Sequence, residues 1–275
     1  MLTPTRIAIG TALIGAFALG ATVVGFSSAQ TDDNASHAPK EKVTTSFSDE
    51  QEEDLNALIR AYILENPDVV IESVNRFAME QRLAEEQSAK QAAIENLPAL
   101  MDPATSFVAG KNPEKAKVVV IEMYDYHCTY CKRAAAPVKK ILESDSDIKF
   151  VFRELPILKE ESNYAAEMAL AARGQDKFLD LHFALLDSNG TLTKDRVESI
   201  ARKQKLNVDE MKAAIKEDHI PDMLDYNHAL ASALGIDGTP AFIVAAVDGS
   251  YADVLVGFNE EALVTKIKEA KQAAN

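Results

Sequence analysis

The 275-residue sequence contains no tryptophan, only 2 cysteines, 11 glycines and 10 prolines. Two cysteines exclude a small fold stapled by several disulfides and a four-cysteine zinc site. The hydrophobic fraction of 47% and the charged fraction of 26% exclude a collagen-like or disordered chain. A chain of this length buries a full hydrophobic core, in one large domain or two smaller ones.

Positive charge is scarce relative to negative charge. Lys and Arg number 29 against 43 Asp and Glu, which gives a net charge of −14. A surface of this sign repels phosphate backbones and anionic lipid headgroups. We therefore expect no nucleic-acid partner, although the charge itself identifies no substrate.

The N-terminal segment 7–26 has no charged residue at all and follows Arg6. Its length suits a membrane-spanning helix, but Ser27 and Ala29 match the small-residue preference of signal peptidase. A cleaved signal peptide over residues 1–29 and an uncleaved membrane anchor over residues 7–26 both stay open. Either one exports the rest of the chain, which predicts a periplasmic protein in an oxidising compartment.

Residues 30–47 are polar without an apolar period and predict a flexible linker. Two helices are predicted after it, at 48–66 and 67–96, and together they form a helical extension over 48–98.

The second helix of this extension has an apolar stripe that fades after its first half. The stripe consists of Val70, Val74 and Phe77. One interpretation is a surface helix that packs on the following domain, and the other is an oligomerisation arm whose first half contacts other copies of the chain.

The region 99–275 alternates strand and helix patterns. We predict strands at 117–124 and 148–155, a helix at 132–143 interrupted at Pro137, helices between 162 and 234, a hairpin around Asp248–Gly249, and a last helix at 259–273. Two strands that flank a helix favour a parallel βαβ unit, so the predicted fold class is α/β.

The cysteines lie three residues apart, as Cys128-Thr129-Tyr130-Cys131, directly after an apolar strand pattern. Unpaired N–H groups at a helix start stabilise a thiolate, which is the reactive form of cysteine. We expect Cys128 to be the nucleophile and Cys131 to resolve the mixed disulfide. Three neighbours are expected to add positive charge: His127, Lys132 and Arg133.

Two alternatives to redox chemistry exist for this pair. A structural disulfide across so short a loop stabilises a fold little. A metal site needs two more ligands, and none of the 5 histidines is spaced as a paired ligand with the cysteines. We therefore predict a redox-active disulfide, with no metal and no other cofactor.

Glu122 lies in the middle of the apolar strand before the cysteines. It either points at solvent or is a buried acid whose raised pKa lets it relay protons for Cys131. Later in the chain, Thr239-Pro240 precedes a strand, where proline is tolerated at the first residue. A cis peptide bond would suit this turn, although most bonds before proline are trans.

The motif YDYHCTYC after an apolar strand, with GTPAF about 110 residues later, resembles the DsbA family of exported thiol oxidoreductases. The branch with an N-terminal helical extension, which includes the suppressor-of-copper-sensitivity C proteins, is the most similar, and FRELPIL fits it too. The resemblance implies a thioredoxin fold with an inserted helical domain at about 157–234.

The resemblance also implies roles for individual residues. It makes Cys128 the nucleophile, Cys131 the resolving thiol, and Glu122 the buried acid of the family. It makes Thr239-Pro240 the cis-proline loop that faces the cysteines. The residues expected to contact clients are Thr239, Pro240, His127, Thr129 and Tyr130.

The sequence departs from the family in the dipeptide between the cysteines, which is Thr-Tyr here, whereas Pro-His occurs in strong oxidants and Gly-Tyr is common in this branch. The dipeptide influences the redox potential. A threonine before the proline favours disulfide shuffling.

The resulting hypothesis is a periplasmic protein that oxidises or isomerises disulfides in unfolded or misoxidised exported clients. It would work with an unidentified membrane redox partner and other copies of itself, joined through 48–97. A copper-handling thiolate protein and a disulfide-independent holdase chaperone are the alternatives.

Overall fold

The computed structural model describes residues 46–274. The predicted export segment and nearly all of the predicted linker lie outside these residues. Within the described part of the chain, no helix combines the length and the apolar character needed to cross a membrane.

The chain divides into two units, Met1–Tyr62 and Ile63–Asn275. The described part of the first unit consists mainly of residues 49–62 of helix α1 (Asp49–Glu65), a helix with no buried residue. The predicted capping box is present, because the Ser48 N–H donates to Gln51 Oε1 at 3.0 Å and the Gln51 N–H donates to Ser48 Oγ at 3.3 Å.

The second unit contains a sheet, a block of helices and short connecting turns. Its helices are α2 (Pro67–Glu95), α3 (Leu97–Leu100), α4 (Thr129–Ser144), α5 (Glu160–Ala171), α6 (Phe178–Leu186), α7 (Lys194–Lys203), α8 (Val208–Glu217), α9 (Ile220–Ala233) and α10 (Glu260–Ala273). Its strands are β1 (Phe107–Ala109), β2 (Val118–Tyr124), β3 (Ile148–Glu154), β4 (Ala241–Ala246) and β5 (Ala252–Val256).

The five strands form one sheet in the order β1-β3-β2-β4-β5. Strands β2 and β3 are parallel and are joined through α4, whereas β1 pairs with β3, β4 with β2, and β5 with β4 in antiparallel fashion. The predicted βαβ unit, hairpin and α/β class are confirmed. Helices α5 to α9 lie between β3 and β4 in the sequence and form the helical insertion.

Alternation along β2 divides the core into two clusters, one on each face of the sheet. Val118, Val120 and Tyr124 belong to the cluster under α4, α10 and most of the insertion. Val119, Ile121 and Met123 belong to the cluster under α3, the end of α2 and the second half of α9. Glu122 lies two residues from both Val120 and Tyr124, so its side chain is on the same face of the sheet, the one that α4 covers.

Helix α2 is exposed in its first half and packed in its second half. Val70, Val74 and Phe77 are exposed, whereas Ala93 is fully buried and Leu97 in α3 is 3% exposed. The second half of the helix packs on the domain, as the first interpretation expects, and the oligomerisation arm stays a prediction for the exposed first half. The packed domain also begins before the predicted boundary at residue 99, because Ala93 and Leu97 belong to the second core cluster.

Pro137 does not interrupt α4, contrary to the sequence prediction. The helix runs continuously from Thr129 to Ser144 with Pro137 inside it. A proline removes one helical hydrogen bond, but Ala134, Val138 and Leu142 bury the same helix against the sheet. Tertiary packing outweighs the local preference here.

Candidate redox site

Cys128 occupies the N-cap position of α4, and Cys131 lies in the first turn. Cys128 Sγ accepts a hydrogen bond from the Cys131 backbone N–H at 3.2 Å. Both cysteines are free thiols in this structure, and they are 3% and 0% exposed, respectively. Cys128 is therefore the more accessible of the two cysteines, although only a small part of it is open.

The environment separates the acidities of the two thiols. The hydrogen bond from the Cys131 thiol, with help from the backbone N–H groups of Cys131 and Tyr130, lowers the pKa of Cys128 to about 6 against the opposing effect of burial. Burial and the adjacent Cys128 sulfur raise the pKa of Cys131 well above its usual range. At neutral pH, Cys128 is a thiolate and Cys131 keeps its proton.

Glu122 is buried on the same face of the sheet as the cysteines, at 1% exposure. Neither carboxylate oxygen has a hydrogen-bond partner in the described part of the chain. Burial, followed by the charge of Cys128, raises the pKa of Glu122 to about 8. The interpretation in which Glu122 points at solvent is wrong, and the acid is protonated at neutral pH.

The Thr239–Pro240 loop faces the redox pair from 111 residues along the chain. Its peptide bond is cis, and the Cys128 thiol group lies 3.1 Å from the Thr239 carbonyl oxygen. Pro240 is buried and Thr239 is half-buried. The sequence-predicted loop is thus in direct contact with Cys128.

The two residues between the cysteines are exposed and border a small apolar cavity. Thr129 and Tyr130 both face solvent, and Tyr130 is 55% exposed. Tyr130 lines a cavity of about 310 Å³ together with Phe242 and Phe258. An apolar side chain held beside Cys128 would find its burial site here.

The surroundings of His127 bear on two expectations. Its side chain is only 4% exposed and bonds to the insertion, which leaves little of the imidazole for the predicted client contact. Burial also lowers its pKa, so the imidazole is neutral at pH 7 and adds no positive charge beside the thiolate.

The two basic residues after Cys131 also contact other groups of the protein. Lys132 Nζ donates to the Ser188 carbonyl oxygen, and burial lowers its pKa. The Arg133 guanidinium lies 5.2 Å from the centre of the Tyr130 ring.

Several buried polar residues around the site were given no role from the sequence. Asp125 and Tyr126, in the YDYHCTYC motif, and Glu154, in FRELPIL, are each 1% exposed. Tyr124 and Tyr126 donate to Glu154 Oε1 at 2.6 and 2.8 Å. The available signal was a run of polar side chains at the end of a buried strand, where each must find a partner.

Among residues 46–274, no group of three or more His, Cys, Asp or Glu side chains is arranged to hold a metal ion.

Comparison with known proteins agrees with this geometry. The DSBA-like thioredoxin domain model matches residues 119–268, which is more than half of the chain. A thioredoxin-like oxidoreductase from Silicibacter pomeroyi DSS-3 is 34% identical, with a TM-score of 0.57 over 63% of this chain and 95% of that one. Proteus mirabilis ScsC, in a transitional conformation, is 28% identical, with a TM-score of 0.55 over 82% of this chain and 98% of that one.

The curated relatives are much longer than the matched region. The Na(+)/H(+) antiporter NhaA 1 of Salinispora arenicola is 30% identical over 146 residues, which are 52% of this chain and 22% of the antiporter. The chain thus spans about a fifth of the length of the curated relatives that it matches. By its domain match and its structural neighbours, the chain belongs to the DSBA-like thioredoxin domain family and has a thioredoxin fold.

Proposed function

We propose that this protein exchanges disulfides with exported client proteins in the periplasm, through Cys128 and Cys131. The observation that carries the proposal is the Cys128 sulfur at a helix N-cap, stabilised as a thiolate and facing a cis-proline loop. The periplasmic location depends on segment 7–26 and the processing site after it.

In the oxidising direction, a client thiolate attacks Cys128 Sγ of the Cys128–Cys131 disulfide. A client–Cys128 disulfide forms and Cys131 leaves as a thiolate. A second client thiolate then attacks the client sulfur of the mixed disulfide and releases the Cys128 thiolate. The client loses two electrons and the protein gains them, so a membrane redox partner must remove them before the next cycle.

Glu122 would manage the proton of Cys131 in this sequence. The leaving Cys131 thiolate is strongly basic, and the protonated Glu122 carboxyl, with a pKa of about 8, is a suitable donor for it. In the reverse direction, the carboxylate takes the proton as Cys131 attacks the mixed disulfide.

Clients would bind across the surface formed by Thr129, Tyr130 and the Thr239–Pro240 loop. The small cavity beside Tyr130 would take an apolar client side chain, because its walls include Phe242 and Phe258. An extended client segment would then pass over the opening above Cys128.

The stabilised thiolate favours the direction in which the protein donates its disulfide. A low pKa of Cys128 lowers the free energy of the reduced protein, so the oxidised form becomes the better oxidant. Disulfide isomerisation is the second candidate, and the exposed apolar residues of α2 favour it. These residues would join copies of the chain through 48–97 and hold several redox sites in one assembly.

The decisive experiment measures Cys128→Ser in two assays, oxidation of a reduced client and refolding of a scrambled one. Both activities should disappear, and full activity in the variant would contradict the proposal. Cys131→Ser is the matched variant, which should accumulate client–Cys128 disulfides because the resolving thiol is missing. The faster of the two wild-type activities identifies the direction.

Two further measurements address the alternatives. Anaerobic titration of the reduced protein with Cu(I) would reveal tight, stoichiometric binding if the thiolates handle copper. A holdase would still prevent client aggregation after the double change Cys128→Ser and Cys131→Ser. We expect neither result.

A further inference from the structure

The three residues directly before Cys128 all bury their side chains against the helical insertion. Asp125 and Tyr126 are each 1% exposed, and the His127 side chain is 4% exposed. Tyr126 Oη lies 3.1 Å from His182 Nδ1 in α6. The redox loop is thus held from the insertion side as well as by its own strand and helix.

Asp125 carries most of this attachment, because its carboxylate accepts four hydrogen bonds. Oδ1 accepts from the His127 backbone N–H at 2.7 Å and from Ser162 Oγ at 2.8 Å. Oδ2 accepts from the backbone N–H groups of Ile157 and Leu158, both at 2.9 Å. A buried carboxylate with four donors is well satisfied, and three of these donors belong to the insertion.

His127 adds a second connection that ends on the same carboxylate. Its Nε2 accepts from the Leu192 backbone N–H at 2.9 Å, so the proton of the neutral ring must lie on Nδ1. Nδ1–H then donates to Ser162 Oγ at 2.8 Å, and the Ser162 hydroxyl donates to Asp125. The chain of hydrogen bonds runs from the loop before α7, through His127 and Ser162, to Asp125.

The backbone of Asp125 also holds the start of helix α4. The Asp125 carbonyl oxygen accepts from the Cys128 backbone N–H at 3.0 Å. The side chain of Asp125 therefore fixes the insertion while its backbone fixes the residue that carries the reactive sulfur. A shift of Asp125 would change how Cys128 Sγ meets the Cys131 N–H.

We propose that Asp125 is a positioning residue through which the helical insertion sets the geometry of Cys128, with Ser162 and His127 as its supports. In this role the insertion does more than cover the site, because it holds the N-cap sulfur in line with the donors that stabilise the thiolate. The proposal rests on the redox function of Cys128 proposed above and adds a residue to it.

The test is Asp125→Asn, measured by titration of the ultraviolet absorbance of the thiolate in the reduced full chain. Loss of positioning and loss of the negative charge should shift the pKa of Cys128 in opposite directions. Loss of positioning should raise the pKa of Cys128 by about one unit, a tenfold smaller thiolate-to-thiol ratio at pH 6. Loss of a nearby negative charge alone would lower that pKa. A lowered or unchanged pKa would overturn the proposal.

The control is Asp253→Asn, which removes another buried carboxylate, on the edge strand β5. Asp253 is 6% exposed and pairs with Lys90 and Lys266. Its loss should destabilise the fold without moving the thiolate titration. An equal shift in both variants would mean that the effect is general destabilisation, which also overturns the proposal.

If Asp125→Asn fails to fold, Ser162→Ala decides instead, because it removes only the hydroxyl that joins His127 to Asp125. A threefold smaller thiolate-to-thiol ratio at pH 6 is expected, and an unchanged ratio would contradict the proposal. Failure here is distinguishable from failure of the redox function. Full activity of Cys128→Ser would refute the redox function. If Cys128→Ser is inactive but the Asp125→Asn or Ser162→Ala variant titrates like the wild type, only the positioning role is refuted.

Discussion

Among single residues, Glu122 lies in surroundings that disfavour its charge. The carboxyl is buried without a hydrogen-bond partner in residues 46–274, and its raised pKa means that the native state holds a proton which the unfolded state releases. The folded protein therefore loses stability as the pH rises from about 4.5 to about 8. Such a cost is expected where a proton must be available for chemistry.

The first prediction concerns the loss of stability that the buried Glu122 carboxyl causes at neutral pH. Glu122→Gln should raise the free energy of unfolding of the reduced protein by about 3 kcal/mol at pH 7, with no gain at pH 4, where both states keep the proton. Denaturant unfolding at the two pH values measures it, with the exposed Glu114→Gln as the control. A gain that is equal at both pH values would contradict the proposed protonation.

Cys128 affects the pH dependence of folding stability in the opposite sense to Glu122. Its folded pKa of about 6 lies below the ordinary value of 9.0, so the thiolate stabilises the folded protein fully above pH 9, and this stability is lost as the pH falls through 6.

The second prediction follows from that sign. The difference in unfolding free energy between reduced wild-type protein and reduced Cys128→Ser should grow by about 3 kcal/mol from pH 6 to pH 9. Denaturant unfolding across this range measures it. A difference that does not change with pH would show that Cys128 is an ordinary thiol.

At the scale of elements, Arg153 joins pieces of the fold that are distant in sequence. Its side chain is fully buried on β3, and burial lowers its pKa to about 10, so it stays charged. The guanidinium donates to the carbonyl oxygens of Ala99 and Leu100 in α3 and to Asn227 Oδ1 in α9. The negative ends of the peptide dipoles of α3 compensate the charge.

The third prediction tests this junction. Arg153→Lys should lower the free energy of unfolding by about 3 kcal/mol, because a single ammonium group does not reach all of these acceptors. Chemical denaturation measures it. Arg202→Lys, at the exposed ion pair with Glu198, is the matched control and should change stability by less than about 0.5 kcal/mol. Equal effects would contradict the role of Arg153.

The elements also show how far the sequence was informative. Strands β2 and β3 and helices α4 to α10 follow local hydrophobic patterns, so their positions were predictable. Strand β1 has three residues and forms only because β3 offers an edge, which no local pattern reveals. Pro137 was misinterpreted for a related reason, since packing on the sheet outweighs its local preference.

The site was predictable in its chemistry and less so in its supports. Cys128, Cys131 and the Thr239–Pro240 loop were found through the motif and the resemblance. Asp125 was missed because its partners in the insertion lie 32 to 37 residues away, and a hydrogen bond of that range leaves no local pattern.

For the whole molecule, the open question is self-association through 48–97. Val70, Val74 and Phe77 are 42%, 60% and 63% exposed at positions that share one side of α2. Apolar side chains exposed in a row are an unusual surface for a monomer.

The fourth prediction is that the double change Val74→Glu and Phe77→Glu lowers the molar mass of the full chain in solution. Repulsion between the new charges would oppose contact between copies. Light scattering measures the mass, and Asn75→Glu, on another side of the helix, should leave it unchanged. A wild-type protein that is already monomeric would contradict the proposed assembly.

For the proposed exchange with exported clients, the small opening above Cys128 limits the time at which a client can react. A cysteine residue that is 3% exposed is reached by a client cysteine on an extended segment of chain, and hardly by one set in a rigid convex surface. Newly exported chains satisfy this condition only until they collapse. In the proposed function, each client must therefore meet the protein before its own folding hides its thiols.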